Sequence, residues 1–552
     1  MITSPAFIRP GLARAALFTI LASLPLQLPA AEIVPLSPVV VTATHSQRPL
    51  VVTANPRDPA QPLPAQDGAE ALRGIPGFAM IRKGGADGDP VLRGMAGSRL
   101  GILVDGDVVL GGCGNRMDPP TAYVHPAAFD ELTVMKGPQS VSQGPGYTAG
   151  VVRFDRSTPR LEAGAVEFAA SATLASFGRN DQMLRILAGT ASGYAEIAAT
   201  RSASEDYRTG SGATVHSAYE RWNTQATLGW TPSRDTTVEL TAATGDGEAA
   251  YADRAMDGVA FARDHIALRF DRTLQGKHVR SIAARVYVNT VDHVMDNTSL
   301  RHFAPSAMMP KPAVSNPDRQ TVGGRTSAKL EAGGHVLIDF GLDFQWNRHR
   351  VRATRDQPAL DYRTLPRNED ARFEQVGVFA EGSRMLATHT RLIGGVRGDA
   401  WRASDHRASV ATGMSGTSQN PSSDHVRHQC LGGSFLRIEH EQGEATAYLG
   451  LGYAARFPDY WEIFSKESAG SVSAFDTRAE RTRQIDAGLM AGRGKITTSV
   501  SIFANRIDDY ILIESGVRKG MRTATIARNI GASTWGGEAS ATWRIARNCK
   551  AD

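Results

Sequence analysis

Cys113 and Met117 stand four residues apart in Gly111-Gly112-Cys113-Gly114-Asn115-Arg116-Met117-Asp118-Pro119-Pro120, and His293 and Met295 stand two apart far downstream. Together they offer a thiol, two thioethers and an imidazole. Soft donors of this kind select copper(I) over magnesium, calcium or iron(III). Each pair carries little weight alone, because a single methionine is usually packing material and a single histidine in a polar lining needs no ligand to explain it. What matters is whether the chain's elements bring the pairs together.

The downstream pair sits in an alternating segment, 281–295. Its even positions Ile282, Ala284, Val286 and Val288 are apolar, and its odd positions include Ser281, Arg285, Asn289, His293 and Met295. Tyr287 and Val291 interrupt the pattern. On a strand, residues two apart share a face, so His293 and Met295 point the same way. Cys113 and Met117 would share a face in a helix. Gly111, Gly112 and Gly114 favour a loop instead, and Pro119-Pro120 stops a helix from continuing. A loop wrapping one turn would still let both sulfurs reach one ion.

Such alternation is general from about Ala165 onward. Segment 335–348 carries Val336, Ile338, Phe340, Leu342, Phe344 and Trp346 on one face and Asp339, Asp343, Gln345 and Asn347 on the other. Segment 445–457 places Ala447, Leu449, Leu451, Tyr453 and Phe457 together, and 496–505 sets Ile496, Val500 and Ile502 against Thr497, Ser499 and Asn505. Strands of about ten residues, apolar on one side and polar on the other and joined by turns, describe a transmembrane β-barrel. A soluble sandwich or propeller would also alternate, but no blade-length repeat occurs. We count roughly sixteen such strands up to Ile545.

The N-terminus sets the compartment. Arg9 and Arg14 precede an apolar run from Ala15 to Leu24, and Pro29-Ala30-Ala31 follows, the order of a cleaved secretory signal peptide. The run is shorter than the roughly 20 apolar residues a membrane-spanning helix needs. The 552 residues carry a formal net charge of +5, 55 glycines and only 3 cysteines: Cys113, Cys430 and Cys549. Despite a pI near 9.1, the charges are scattered singly, which excludes a nucleic-acid-binding patch. The cysteines suggest no disulfide framework, and an unpaired one in an exported chain reads as a ligand or reactive thiol.

Before the barrel, residues 51–157 are Gly-rich and broken. They include Leu72-Arg73-Gly74-Ile75-Pro76-Gly77-Phe78, Val91-Leu92-Arg93-Gly94-Met95, Ile102-Leu103-Val104-Asp105-Gly106, Val134-Met135-Lys136-Gly137-Pro138-Gln139-Ser140 and Gly144-Pro145-Gly146. These read as a small mixed α/β domain, and they resemble the plug of TonB-dependent outer-membrane transporters. Ser37-Pro38-Val39-Val40-Val41-Thr42-Ala43 resembles that family's TonB box. An exposed β-branched run can add a strand to a partner's sheet. Residues 111–123 are further similar to the hallmark of the family's copper receptors, which pair Cys-x-x-x-Met on the plug with His-x-Met on the barrel. The resemblance implies that Cys113, Met117, His293 and Met295 bind copper, as Cu(I), and that Val39, Val40, Val41 and Thr42 engage TonB. It also implies a monomer in outer-membrane lipid. Met256, Met308 and Met309 are secondary candidates in loops.

The resulting expectation is an all-β transmembrane barrel with an N-terminal mixed α/β plug. Its parts are a signal peptide (1–31), TonB box and linker (32–50), plug (51–157), barrel (158–546) and polar tail (547–552). No P-loop, His-Glu-x-x-His or Gly-x-Ser-x-Gly motif is present, so no catalysis is expected. The family's barrels have about twenty-two strands, so about six are expected to be missing here, as in a truncated product. The alternatives to copper import are transport of another ligand such as a siderophore, a surface receptor that moves nothing, and a truncated inactive chain.

Overall fold

The structure is a computed structural model, which describes residues 45–57, 63–161, 164–306, 309–333, 336–412, 416–546 and 549–551. The signal peptide, the TonB-box residues Val39 to Thr42 and Met308 lie outside the described residues.

Alternating sequence becomes strand throughout the C-terminal part. Seventeen strands, from Ala165–Ala175 to Cys549–Ala551, pair in chain order into one antiparallel sheet. Among the described residues the two end strands are not paired with each other. The faces divide as the period of two requires. Val376, Val378, Leu449, Leu451 and Ile502 are exposed on the outside, while Gln375, Gln484 and Asn505 are buried on the inside. Apolar residues facing out and polar residues facing in suit a sheet whose outer solvent is lipid. No helix among the described residues is long and apolar enough to cross a membrane. The stretch expected as a polar tail contributes Cys549–Ala551, which pairs with Arg522–Ala546. Backbone pairing needs only main-chain donors and acceptors, so side-chain polarity does not prevent it.

A second domain fills the inside. Its six-stranded sheet runs in the order His45–Arg48, Val51–Ala54, Glu131–Lys136, Gly150–Asp155, Leu100–Val104 and Asp107–Val108. The strand His45–Arg48, assigned to the linker from sequence, is the edge of this sheet. A smaller sheet joins Phe78–Ile81, Asp89–Leu92 and Met95–Ala96. The expected helical share is corrected. Between Val51 and Asp155 the described helical elements are short 3-10 turns such as Glu70–Leu72, Pro120–Tyr123 and Pro126–Ala128. Prolines at 119, 120 and 126 and glycines at 68, 74 and 77 leave no run long enough for an α-helix.

The wall wraps this domain, because strands early and late in the chain both grip it. Arg221 donates to the Ala86 and Val124 carbonyls at 3.0 and 2.7 Å. Arg397 donates to the Val141 carbonyl at 3.3 Å. From the inner domain, Arg93 reaches Asp486 at 2.7 Å and Glu538 at 2.8 Å, and Lys136 reaches Glu538 at 2.6 Å. One apolar core is shared by both parts: Val52, Leu72 and Phe154 from inside, with Tyr219, Tyr251, Phe261 and Val291 from the wall. This also explains the two interruptions in 281–295. Tyr287 and Val291 do face inward, and they are buried there because the inner domain, not water, covers them.

Candidate metal centre

The Cys113 segment is a loop closed on itself. Arg116 N–H donates to the Cys113 carbonyl at 2.8 Å, forming a turn that ends with Arg116 in the left-handed region at φ 55°. That turn brings the chain back, and Met117 joins Cys113 in the same buried cluster. Asp118 staples the loop. Its carboxylate accepts from Gly112 N–H at 2.7 Å, Cys113 N–H at 2.9 Å and the Tyr123 hydroxyl at 2.8 Å. Gly111 must pass close beneath: a Cβ there would collide with the Asp118 carbonyl oxygen. The side chain of Arg116 points away and forks onto Asp89 at 2.7 and 3.0 Å.

The opposing pair comes from the wall. His293 and Met295 lie near the end of strand Val279–Asp296, opposite Phe261 and Gly258 of strand Asp257–Thr273. The register shifts between Gly258 and Ala260, a bulge of the kind that re-aims nearby side chains. Both residues are buried on the inner face. Met295 Sδ lies 3.6 Å from Cys113 Sγ, so the two pairs meet across the boundary between inner domain and wall. His293 Nδ1 donates to the Ala260 carbonyl at 2.8 Å. That bond leaves Nε2 as the lone-pair nitrogen, and Nε2 is buried with no hydrogen-bond partner. A buried imidazole oriented by a backbone carbonyl with its other nitrogen unsatisfied suits a soft metal ion.

Among the described residues, no group of three or more His, Cys, Asp or Glu could hold a metal. Any ion here therefore depends on the thioethers, which again favours a soft ion over a hard one. Burial, and after it the nearby Asp118 carboxylate, push the Cys113 thiol up to about 12. The thiol is thus protonated when the site is empty.

Of the secondary candidates, Met256 packs against the cluster holding Cys113, Met117 and Met295. Met309 is turned elsewhere, its Sδ accepting from Asn297 Nδ2 at 3.6 Å.

Supporting residues escaped the sequence reading. His349, fully buried on strand Val336–Thr354, bonds Asp370 through Nδ1 at 2.6 Å and the Gly112 carbonyl through Nε2 at 2.7 Å. Its ring stacks on Tyr460 at 3.6 Å. Lys466 donates to the Gly114 carbonyl at 3.0 Å, and the Tyr251 hydroxyl lies 3.1 Å from the Met117 carbonyl. His349 had a usable signal, since it continues the odd, inward positions of 335–348. Lys466 and Tyr251 had none, because they reach the loop from segments with no strand pattern.

Two family models match. The TonB-dependent Receptor Plug Domain model covers residues 45–151, and the TonB dependent receptor-like, beta-barrel model covers residues 199–548. No curated protein matches the chain. Among solved structures, the copper transporter OprC is similar with a TM-score of 0.88 and 41% identity, over 93% of this chain and 79% of that one. The hemophore receptor HasR of Serratia marcescens is similar with a TM-score of 0.72 and 16% identity, over 90% of this chain and 79% of that one. The FrpB iron transporter of Neisseria meningitidis is similar at 0.68 and 16%, over 90% and 77%. At 16% identity these two likenesses concern the fold alone.

Proposed function

This chain belongs to the TonB-dependent receptors of the outer membrane, and on that premise we propose that its cargo is copper, bound as Cu(I) by Cys113, Met117, His293 and Met295. The observation that carries the reading is the 3.6 Å approach of Cys113 Sγ to Met295 Sδ, together with the buried Nε2 of His293, two residues from Met295, which is left without a partner. The 41% identity to a protein named as a copper transporter supports it.

The ligand set is split between two bodies, and that split supplies a release step. Cys113 and Met117 travel with the plug, whereas His293 and Met295 stay with the wall. Pulling the plug separates the pairs, so an ion held by four donors keeps at most two. Residues Val39 to Thr42 are the proposed grip for TonB. Energy then enters from the partner and needs no catalytic group in this chain.

Two measurements test this reading. Metal analysis of protein loaded with Cu(I) should show about one ion per chain, falling to background in Cys113→Ala. Equal copper in both would remove the site and leave another cargo, such as a siderophore, as the reading. Deleting residues 39–42 should abolish copper uptake by cells while purified protein still binds the ion. Unchanged uptake would instead mark a surface receptor that is not energised.

A further inference from the structure

Arg348 and Arg372 stand directly opposite each other on neighbouring strands of the outer wall. Their guanidinium carbons lie 5.9 and 5.8 Å from the centre of the same ring, Trp346. Strand parity puts all three on the lipid side. Phe344 and Leu342 precede Trp346 on that face as exposed apolar residues, and Val376 and Val378 continue it on the next strand. The intervening Asn347 and His349 are buried inside. Two residues along a strand advance about 7 Å, so the arginine pair sits just beyond the apolar band.

Like charges directly opposite in a sheet are destabilising, and of this pair only Arg372 has a carboxylate of its own, Glu369, leaving the charge of Arg348 uncompensated. Glu369 is engaged by Arg372 at 2.8 Å and by His406 at 3.5 Å. Glu374 is engaged by Arg402 at 3.2 Å, with His428 next in register. Among the described residues no carboxylate pairs with Arg348. Its guanidinium donates to Gln320 Oε1 at 3.0 Å, while its Nε is buried without a partner.

We propose that Arg348, Arg372 and Trp346 form a binding site for the phosphomonoester headgroup of a membrane lipid. A phosphate taken by the Arg348 guanidinium, with Arg372 opposite, supplies the counter-charge that Arg348 lacks through charge-assisted bonds. The choice of a lipid over free phosphate follows from continuity with the apolar band: acyl chains lie along Phe344, Val376 and Val378 while the headgroup meets the arginines. The site is independent of the copper reading.

The test is native mass spectrometry of the full chain in detergent, with phosphatidic acid, phosphatidylcholine or inorganic phosphate as the probe. Phosphatidic acid should be retained about tenfold better than phosphatidylcholine, and R348Q/R372Q should lower it to the phosphatidylcholine level. The control R506Q removes another outward arginine, held near Asp508 at 3.7 Å, and should change nothing. Unchanged retention in R348Q/R372Q overturns the site, and so does an equal loss in R506Q. Full displacement of the lipid by an equal concentration of inorganic phosphate overturns the lipid assignment. The single variant R348Q carries the same test should the double variant fail to fold.

Discussion

A thiol buried beside a carboxylate keeps its proton, so a cation that takes Cys113 has to displace one. With the thiol pushed up to about 12, Cu(I) affinity should rise about tenfold per pH unit between pH 7 and 9, one proton leaving per ion bound. Competition titrations with a Cu(I) chelator at several pH values check this, and Cys113→Ala should flatten the slope. A flat profile in the unaltered protein would mean that the thiolate is not a ligand. Asp87 is the second residue whose environment makes a prediction. Burial raises its carboxyl to about 7 against the pull of the Tyr251 hydroxyl, and one of its oxygens has no partner. The folded state therefore holds a proton that the unfolded chain has already lost between about pH 4 and 7. Stability falls as pH climbs through that window, and the cost persists above it. Asp87→Asn removes the ionisation while keeping an acceptor for Tyr251. Its thermal midpoint should exceed that of the unaltered chain at pH 8 and match it near pH 4.

Elements turn these residues into a site. The metal loop owes its shape to Asp118, which takes two backbone N–H groups and the Tyr123 hydroxyl. Loss of one charge-assisted bond costs roughly 1.5–3 kcal/mol. Asp118→Asn should therefore weaken copper retention about tenfold or more, without changing the far-ultraviolet circular dichroism of the barrel. Full retention would show that the loop's shape comes from elsewhere, for instance from the His349 bond to the Gly112 carbonyl. On the wall side the bulge between Gly258 and Ala260 sets the neighbouring register at Met295 and His293. Periodicity places both residues on the inner face but says nothing of their height or tilt, because a bulge leaves no mark in alternation.

For the molecule as a whole, the grip between plug and wall is ionic as well as apolar. Glu538 answers both Arg93 and Lys136 inside the barrel, and Arg99 shares Glu480 with Arg456, which also holds Glu462. Removing one partner of a buried pair strands the other charge and costs about 3–5 kcal/mol. Glu538→Gln should thus lower the urea midpoint for plug unfolding, read by proteolysis of the plug. An unchanged midpoint would mean that water already compensates these cations.

Alternation by itself determined the strand-built wall, its apolar outer face and the inward direction of His293 and Met295, because a period of two is a local property that burial cannot rewrite. The sulfur and imidazole donors were legible from residue type alone. Only the tertiary structure decided that Cys113 meets Met295, 182 positions away along the chain, since their approach depends on how the plug seats in the barrel. The same holds for Asp118, Tyr251 and Lys466, and for the partner His349 finds once alternation has turned it inward. Their roles are contacts with backbone atoms, and backbone atoms carry no residue-type signal. It holds too for the plug, where short Gly- and Pro-broken segments gave 3-10 turns in place of helices. The prolines and glycines forbid a long helix there, but which carbonyl closes each turn is settled only in the folded domain.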